Sequence, residues 1–272
     1  MNNSACFELQ VLDLVPFGFA SGSAGFYALR LENPEWANWQ PGQFVMIRPA
    51  GWALDMIWAR PFSICRVSKR DLTIFFQVAG RGTAKLAELK SGDTVHMWGP
   101  LGSSFAMEAD TPTLLLAGGI GIAPFVGYAY EHPKPWNLWL EFGHRMPIGC
   151  YPYESVSDKI MTSNHLEESP EDLQNFITHI RARIKEFAEK KGLVLACGPT
   201  PFLRTIREAS LEYGVRCQLS LENRMACGVG ACLGCVCKTT DAWPEDAKKE
   251  SRIQTCTTGP VFWADQITLD EA

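Results

Sequence analysis

Met225–Lys238 places four of the chain's ten cysteines and three glycines in fourteen positions. A stretch this rich in glycine does not pack as a helix or a strand, so it reads as a loop wrapped around something. Cys227, Cys232 and Cys235 are spaced C-x4-C-x2-C, and Cys256 follows with twenty residues between it and Cys235. That is the plant-type spacing for a [2Fe-2S] cluster, with three thiolates from one loop and a fourth from a distant segment. Gly228, Gly230, Ala231 and Gly234 let the backbone close round the sulfurs and turn N–H groups towards them, which stabilises a negative cluster. Three other uses of the cysteines compete. Structural zinc prefers two separated C-x2-C knuckles, and only one is present. Disulfides need an oxidising compartment, and Met1–Gln10 does not resemble a signal peptide. Chance clustering of apolar cysteines needs an apolar face that the glycines do not offer. Cys237 competes with Cys256 for the fourth position, although in an extended segment it points away from Cys235.

At 272 residues the chain is long enough for two cores and a smaller module. A net charge of −5 argues against a nucleic-acid surface and offers no polybasic patch for a membrane. The longest apolar run, Thr113 to Ala129, is broken by Gly118, Gly119, Gly121 and Pro124, so it is no membrane span. With the cysteines taken as reduced, the expected location is cytoplasmic.

Residues 6–96 alternate between short apolar segments and turns. Strands are expected at Phe7–Leu12, Phe26–Leu31, Phe44–Arg48, Phe62–Val67, Leu72–Val78 and Thr94–Trp98, with one helix from Thr83 to Leu89. Six strands at this spacing suggest a small antiparallel barrel. Arg60, Pro61, Phe62 and Ser63 open one strand with a permanent cation, a rigid residue, a ring and a hydroxyl. Arg60 suits a diphosphate, and Gly82–Thr83 at the start of the expected helix offers N–H groups to the same kind of anion. Taken singly, each has an ordinary explanation as a strand edge or a helix cap.

The next hundred residues have the pattern of an α/β domain. Pro112–Phe125 runs from a buried strand through Gly118, Gly119, Ile120 and Gly121 into a helix, without being a G-x-G-x-x-G fingerprint. Further strands are expected at Trp136–Gly143 and Gly192–Cys197, with helices over 170–191 and 201–213, while 146–169 reads as irregular. Cys197, Gly198 and Pro199 end the last strand. In an open parallel sheet they lie at the same carboxyl edge as Gly118–Gly121, so both turns face one crevice. His165 and His179 read as solvated or packing residues, since neither sits in a ligand-spaced cluster.

Together, Arg60–Ser63, Gly80–Thr83, Gly99–Phe105, Gly118–Pro124 and Cys197–Pro199, in that order over residues 5–216, resemble the ferredoxin reductase family. The cysteine loop with Cys256–Phe262 after it narrows the resemblance to the electron-transfer subunits of class 1B dihydroorotate dehydrogenases. The resemblance implies an FAD-binding β-barrel over residues 1–107, an NAD-binding α/β domain over 108–217 and a [2Fe-2S] module over 218–272. By it, Arg60 and Gly82–Thr83 hold the FAD diphosphate, and Ser63 lies near the reactive edge of the flavin. Phe75, Phe76 and Gln77 line the adjoining strand, while Gly118–Gly121 and Cys197–Pro199 receive NAD(H). The implied partner is an FMN-containing catalytic subunit; other reductase systems share the cofactors, and a redox sensor without catalysis is the reading from another class. Phe62 stands where many of the family have tyrosine, and Asp241–Glu250 lengthens the stretch before Cys256.

Overall fold

The computed structural model describes residues 5–18, 25–36, 38–243 and 252–269. Seven positions of the Asp241–Glu250 stretch, 244–250, lie outside the described residues.

Six strands close a barrel: β1 (Ala5–Phe17), β2 (Phe26–Glu32), β3 (Phe44–Pro49), β4 (Arg60–Val67), β5 (Asp71–Gln77) and β6 (Thr94–Leu101), in the order β1-β2-β5-β4-β3-β6. Every pairing is antiparallel. Strand β1 makes closure possible because its first half pairs with β6 and its second half with β2. Leu29, Leu31, Val45, Ile47, Ile64, Leu72 and Ile74 fill the interior. They come from the alternating apolar positions that marked these segments as strands. The helix after β5, α1 (Arg81–Leu86), starts and ends earlier than the expected Thr83–Leu89.

A second sheet has the order β14-β11-β10-β7-β8-β9, with β7 (Thr113–Gly118), β8 (Leu138–His144), β9 (Met161–Leu166), β10 (Leu193–Cys197), β11 (Arg216–Ser220) and β14 (Val261–Trp263). All its neighbours are parallel except β14, which runs antiparallel to β11. Strands β7 and β10 are buried along their whole length, as central strands covered on both faces must be. The helices on these faces include α2 (Ala123–Glu131), α3 (Tyr153–Ser157), α4 (Pro170–Glu189) and α5 (Thr200–Tyr213). Ser169 caps α4: its Oγ accepts from the Asp172 N–H at 3.2 Å, and the Asp172 carboxylate accepts from the Ser169 N–H at 2.9 Å. The apolar stripe Phe176, Ile180, Ile184 and Phe187 then faces the sheet.

Residues 146–169, expected to be irregular, contain a 3-10 turn at Ile148–Cys150, helix α3 and strand β9. The edge strand β9 pairs on one side only and is mostly exposed, so it carries no apolar alternation to read. A two-stranded sheet, β12 (Val236–Lys238) with β13 (Arg252–Gln254), lies inside the cysteine-rich segment. The 217/218 position falls within β11, and the chain re-enters this sheet at β14.

Two close contacts fix how the parts meet. Helix α2 lies on strand β4 at Gly127, where a Cβ would stand 2.9 Å from the Cys65 carbonyl oxygen. Helix α5 holds the C-terminal segment through Arg207 Nε, which donates to the carbonyls of Ala264 and Ile267, and through Arg204, which donates to that of Leu269.

Candidate functional site

A cleft of about 430 Å³ opens where barrel, α/β sheet and C-terminal segment meet. Strand β4 contributes Pro61, Phe62 and Ser63; β5 contributes Phe75, Phe76 and Gln77. The other wall is Ile120, Cys197 and residues 220–225. A planar aromatic group suits such a site, because Phe62 and Phe76 already pack with centroids 5.8 Å apart and the remaining lining is largely apolar.

Arg60 does not line this cleft. Its Nη1 donates to the carbonyls of Trp58 at 2.7 Å and Ala59 at 3.2 Å, and its guanidinium lies 5.4 Å from the centre of the Trp52 ring. Gly82 brings α1 against it, since a Cβ there would stand 2.6 Å from Arg60 Nε. The arginine and the first turn of α1 are therefore brought together, as a diphosphate cradle requires. The Thr83 hydroxyl is engaged within its own turn: Oγ1 accepts from the N–H groups of Ala79 and Gly80 and donates to the Gly80 carbonyl. Of the Gly82–Thr83 pair, Gly82 gives Arg60 its room and Thr83 holds the turn.

A second cleft, of about 660 Å³, lies along the carboxyl edge of the parallel sheet. Gly118, Gly119, Ile120 and Pro199 line it, with Gly143–Met146 at the carboxyl end of β8 and Phe176 and Phe202 from the helices. Gly121 and Gly198 stand behind this surface. A Cβ on Gly121 would lie 2.2 Å from the Cys197 carbonyl oxygen, and one on Gly198 3.1 Å from Gly118 Cα, so these glycines let the two turns touch. Gln77, Ile120 and Glu222 line both clefts, which makes them one continuous groove with a shared wall. Burial pushes the Cys197 thiol up, with the Glu222 carboxylate adding to the effect, so Cys197 stands in this wall as a neutral thiol.

The cysteine loop packs against the opposite side of the first cleft. Cys235 and Cys256 are buried together with Phe44, Met46, Ala59 and Leu101, and Phe44 also lines the cleft. The Trp98 indole donates to the Cys227 carbonyl at 3.1 Å, tying loop to barrel. Gly228 has φ +73, and a Cβ there would stand 2.4 Å from Met46 Cγ, so both shape and conformation require glycine.

The sulfurs come in two pairs, Cys227 with Cys232 and Cys235 with Cys256. Backbone N–H groups of Val229 and Cys232 point at Cys227 Sγ from 3.4 Å, and that of Cys256 at Cys235 Sγ from 3.4 Å. Burial raises the Cys227 thiol pKa, but these N–H groups outweigh it and bring the thiol down to about 7. Four sulfurs on one zinc ion stand about 3.8 Å apart, given Zn–S bonds of ~2.3 Å. Two pairs of sulfurs suit the two iron atoms of a [2Fe-2S] cluster, whereas one zinc ion would draw all four together. Cys237 faces away into the core that holds Ile253 and Phe262. The residues present fit a [2Fe-2S] cluster better than zinc.

Residues 222–268 match the family described as the iron-sulfur cluster binding domain of dihydroorotate dehydrogenase B. A relative from Caldanaerobacter subterraneus subsp. tengcongensis, named dihydroorotate dehydrogenase B (NAD(+)), electron transfer subunit, is 35% identical over 84% of this chain and 86% of its own. The chain belongs to this family. Identically named dihydroorotate dehydrogenase B electron transfer subunits from Geobacillus kaustophilus and Listeria monocytogenes are 36% and 34% identical, over 85% and 89% of this chain and 87% and 93% of theirs. The fold is shared with a chain of the NADH-dependent reduced ferredoxin-NADP oxidoreductase: TM-score 0.77 at 21% identity, over 99% of this chain and 92% of that one. Ferredoxin-NADP+ reductase from Plasmodium falciparum is also similar in fold, at TM-score 0.62 and 14% identity, over 76% and 91% of the two chains.

Sequence reasoning missed two features of this family member. Glu222 stands at the junction of the clefts, but it follows β11, which no motif announced. His165 and His179 are not independent packing residues, because both reach the same carboxylate, that of Glu141. Each of the three comes from a different element, so no spacing in the chain could reveal them.

Proposed function

We propose that this protein passes electrons between NAD(H) and an FMN-containing dihydroorotate dehydrogenase subunit, through FAD in the first cleft and a [2Fe-2S] cluster in the cysteine loop. The observation that carries the reading is the shared wall. Gln77, Ile120 and Glu222 belong to both clefts, and Phe44 belongs to the first cleft and the cluster core, so each site shares lining residues with the next. Bound FAD supplies exchange of electron pairs with a nicotinamide and of single electrons with a cluster. The chain's own residues bind and orient. Pro61, Phe62, Phe75 and Phe76 give the flavin an apolar seat, Gln77 and Ser63 offer it polar contacts, and Arg60 with Gly82 holds the diphosphate. Gly118, Gly119, Ile120 and Pro199 receive the nicotinamide nucleotide, with Gly121, Cys197 and Gly198 shaping the turns behind it. Cys227, Cys232, Cys235 and Cys256 ligate the cluster.

This reading assigns residues 1–107 to FAD, 108–217 to NAD(H) and 218–272 to the cluster, in a cytoplasmic hetero-oligomer. No described helix is long and apolar enough to cross a membrane. The test is a visible spectrum of purified protein before and after NADH, followed by NADH-linked orotate reduction with an FMN-containing dihydroorotate dehydrogenase subunit. Flavin and cluster bands that bleach with NADH and orotate turnover are expected; bleaching without turnover would move the partner to another system. Replacing Arg60 with Met removes charge-assisted hydrogen bonds worth about 1.5–3 kcal/mol, so FAD affinity should fall roughly 10- to 100-fold. Flavin retained on gel filtration by R60M at the wild-type level would take Arg60 out of the site.

A further inference from the structure

Glu141 lies on β8 facing α4 and is only 4% exposed. His165 from β9 places Nε2 3.0 Å from Glu141 Oε2, and His179 from α4 places its Nε2 3.0 Å from the same oxygen. One turn further along α4, Arg183 Nε donates to the other oxygen, Oε1, at 2.9 Å. The ligating atoms of Glu141, His165 and His179 lie within 4.8 Å of one another, the sole such set among the described residues.

We propose that Glu141, His165 and His179 bind a divalent transition-metal ion of the Zn2+ class, which clasps edge strand β9 to helix α4 beside the nucleotide cleft. Two imidazole nitrogens and one carboxylate oxygen, with water in the fourth position, form a set that zinc accepts. Zn–N and Zn–O bonds of about 2.0–2.2 Å put tetrahedral ligand atoms ~3.4 Å apart, so the 3.0 Å separations need to open by only a few tenths of an ångström. Arg183 occupies Oε1 and thereby turns Oε2 towards the two rings, the orienting role of an outer-shell partner.

The histidine side chains are 26% and 40% exposed, which leaves an entry for the ion and room for the water. The ligands come from three elements, so one ion joins a strand exposed along one edge to the helix that covers the sheet. His165 stacks on Phe176 at 4.7 Å, and Phe176 lines the second cleft. Metal occupancy therefore bears on one wall of that cleft.

The test is calorimetric titration of Zn2+ into metal-chelated protein that keeps its flavin and cluster absorbance, with unfolding temperature as a second readout. Wild type should take up one equivalent and unfold at a higher temperature with it. His179→Gln, at a half-buried helix position, and His165→Gln should each weaken uptake by roughly a hundredfold, at or above the loss expected from an outer-shell change. Their flavin and cluster spectra should match wild type. Zn2+ uptake equal in wild type and in either correctly assembled variant would place the ion elsewhere and overturn the proposal, as would no uptake by wild type.

Discussion

Protein carrying Cys256→Ser should purify with its flavin but without a native iron-sulfur spectrum. Cys256 is 2% exposed and shares its pocket with Cys235, Phe44 and Met46, so no other thiol from outside the loop can reach that corner. A serine hydroxyl there stays protonated near neutral pH and replaces a soft thiolate by a hard oxygen, which an iron-sulfur cluster binds poorly. Transfer from NADH to an acceptor that takes electrons directly from flavin should persist, while transfer to the partner subunit falls to background. Cys237→Ser is the control. That side chain packs into the core on the other side of β12, so its loss should leave the cluster spectrum unchanged. An intact spectrum in C256S together with a lost one in C237S would hand the fourth position to Cys237.

Gly121→Ala should be the most damaging of the small substitutions in the α/β half. The added methyl would stand 2.2 Å from the Cys197 carbonyl oxygen, 2.5 Å from its carbon and 2.8 Å from Gly198 N. All three are backbone atoms, so no rotamer change relieves the clash, and the turns after β7 and β10 must separate. Overpacking of this kind costs about 1–3 kcal/mol, and here it opens the second cleft, to which the nicotinamide nucleotide is assigned under the proposed function. The expected result is a lower unfolding temperature and a KM for NADH raised roughly tenfold, equivalent to about 1.4 kcal/mol. Gly149→Ala, with nothing within 4 Å of the new methyl, should change neither quantity. Wild-type values for G121A would mean that the two turns are not held as closely as their geometry requires.

What could be read from the chain beforehand was whatever repeats at short range. The barrel strands alternate, β7 and β10 run apolar because both faces are covered, and the loop's cysteines stand at fixed spacing, so each announced itself locally. Pairing is a different matter. Strand β9 is mostly exposed at a sheet edge and looks like any polar segment, and β14 is three residues long, stabilised by its neighbour β11 rather than by its own pattern. The site divides in the same way. Glycine turns and cysteines were legible, but Arg60 facing the carbonyls of its own strand entry, Thr83 capping its own turn and Glu222 joining two clefts follow from tertiary contacts. The Glu141 cluster illustrates the limit best, since its members lie on β8, β9 and α4 and meet only when the sheet is built and covered.

Strand β14 carries a consequence for how such a protein can be rebuilt. The chain leaves the sheet after Ser220 and returns at Val261, its direct partner across the ladder, with the Leu221 N–H donating to the Pro260 carbonyl at 2.9 Å. The whole iron-sulfur segment is therefore an excursion between two neighbouring strands whose ends stand about 4.8 Å apart. A hairpin connection satisfies the two strand ends whatever its length, while Ile253 and Cys237 within it pack into the same core as Leu219 and Phe262. A graft that replaces the cluster-bearing loop has to begin beyond Met225 and end before Pro260, because residues 220–225 and Pro260 line the first cleft, and it must also cover Phe44, Met46 and Leu101.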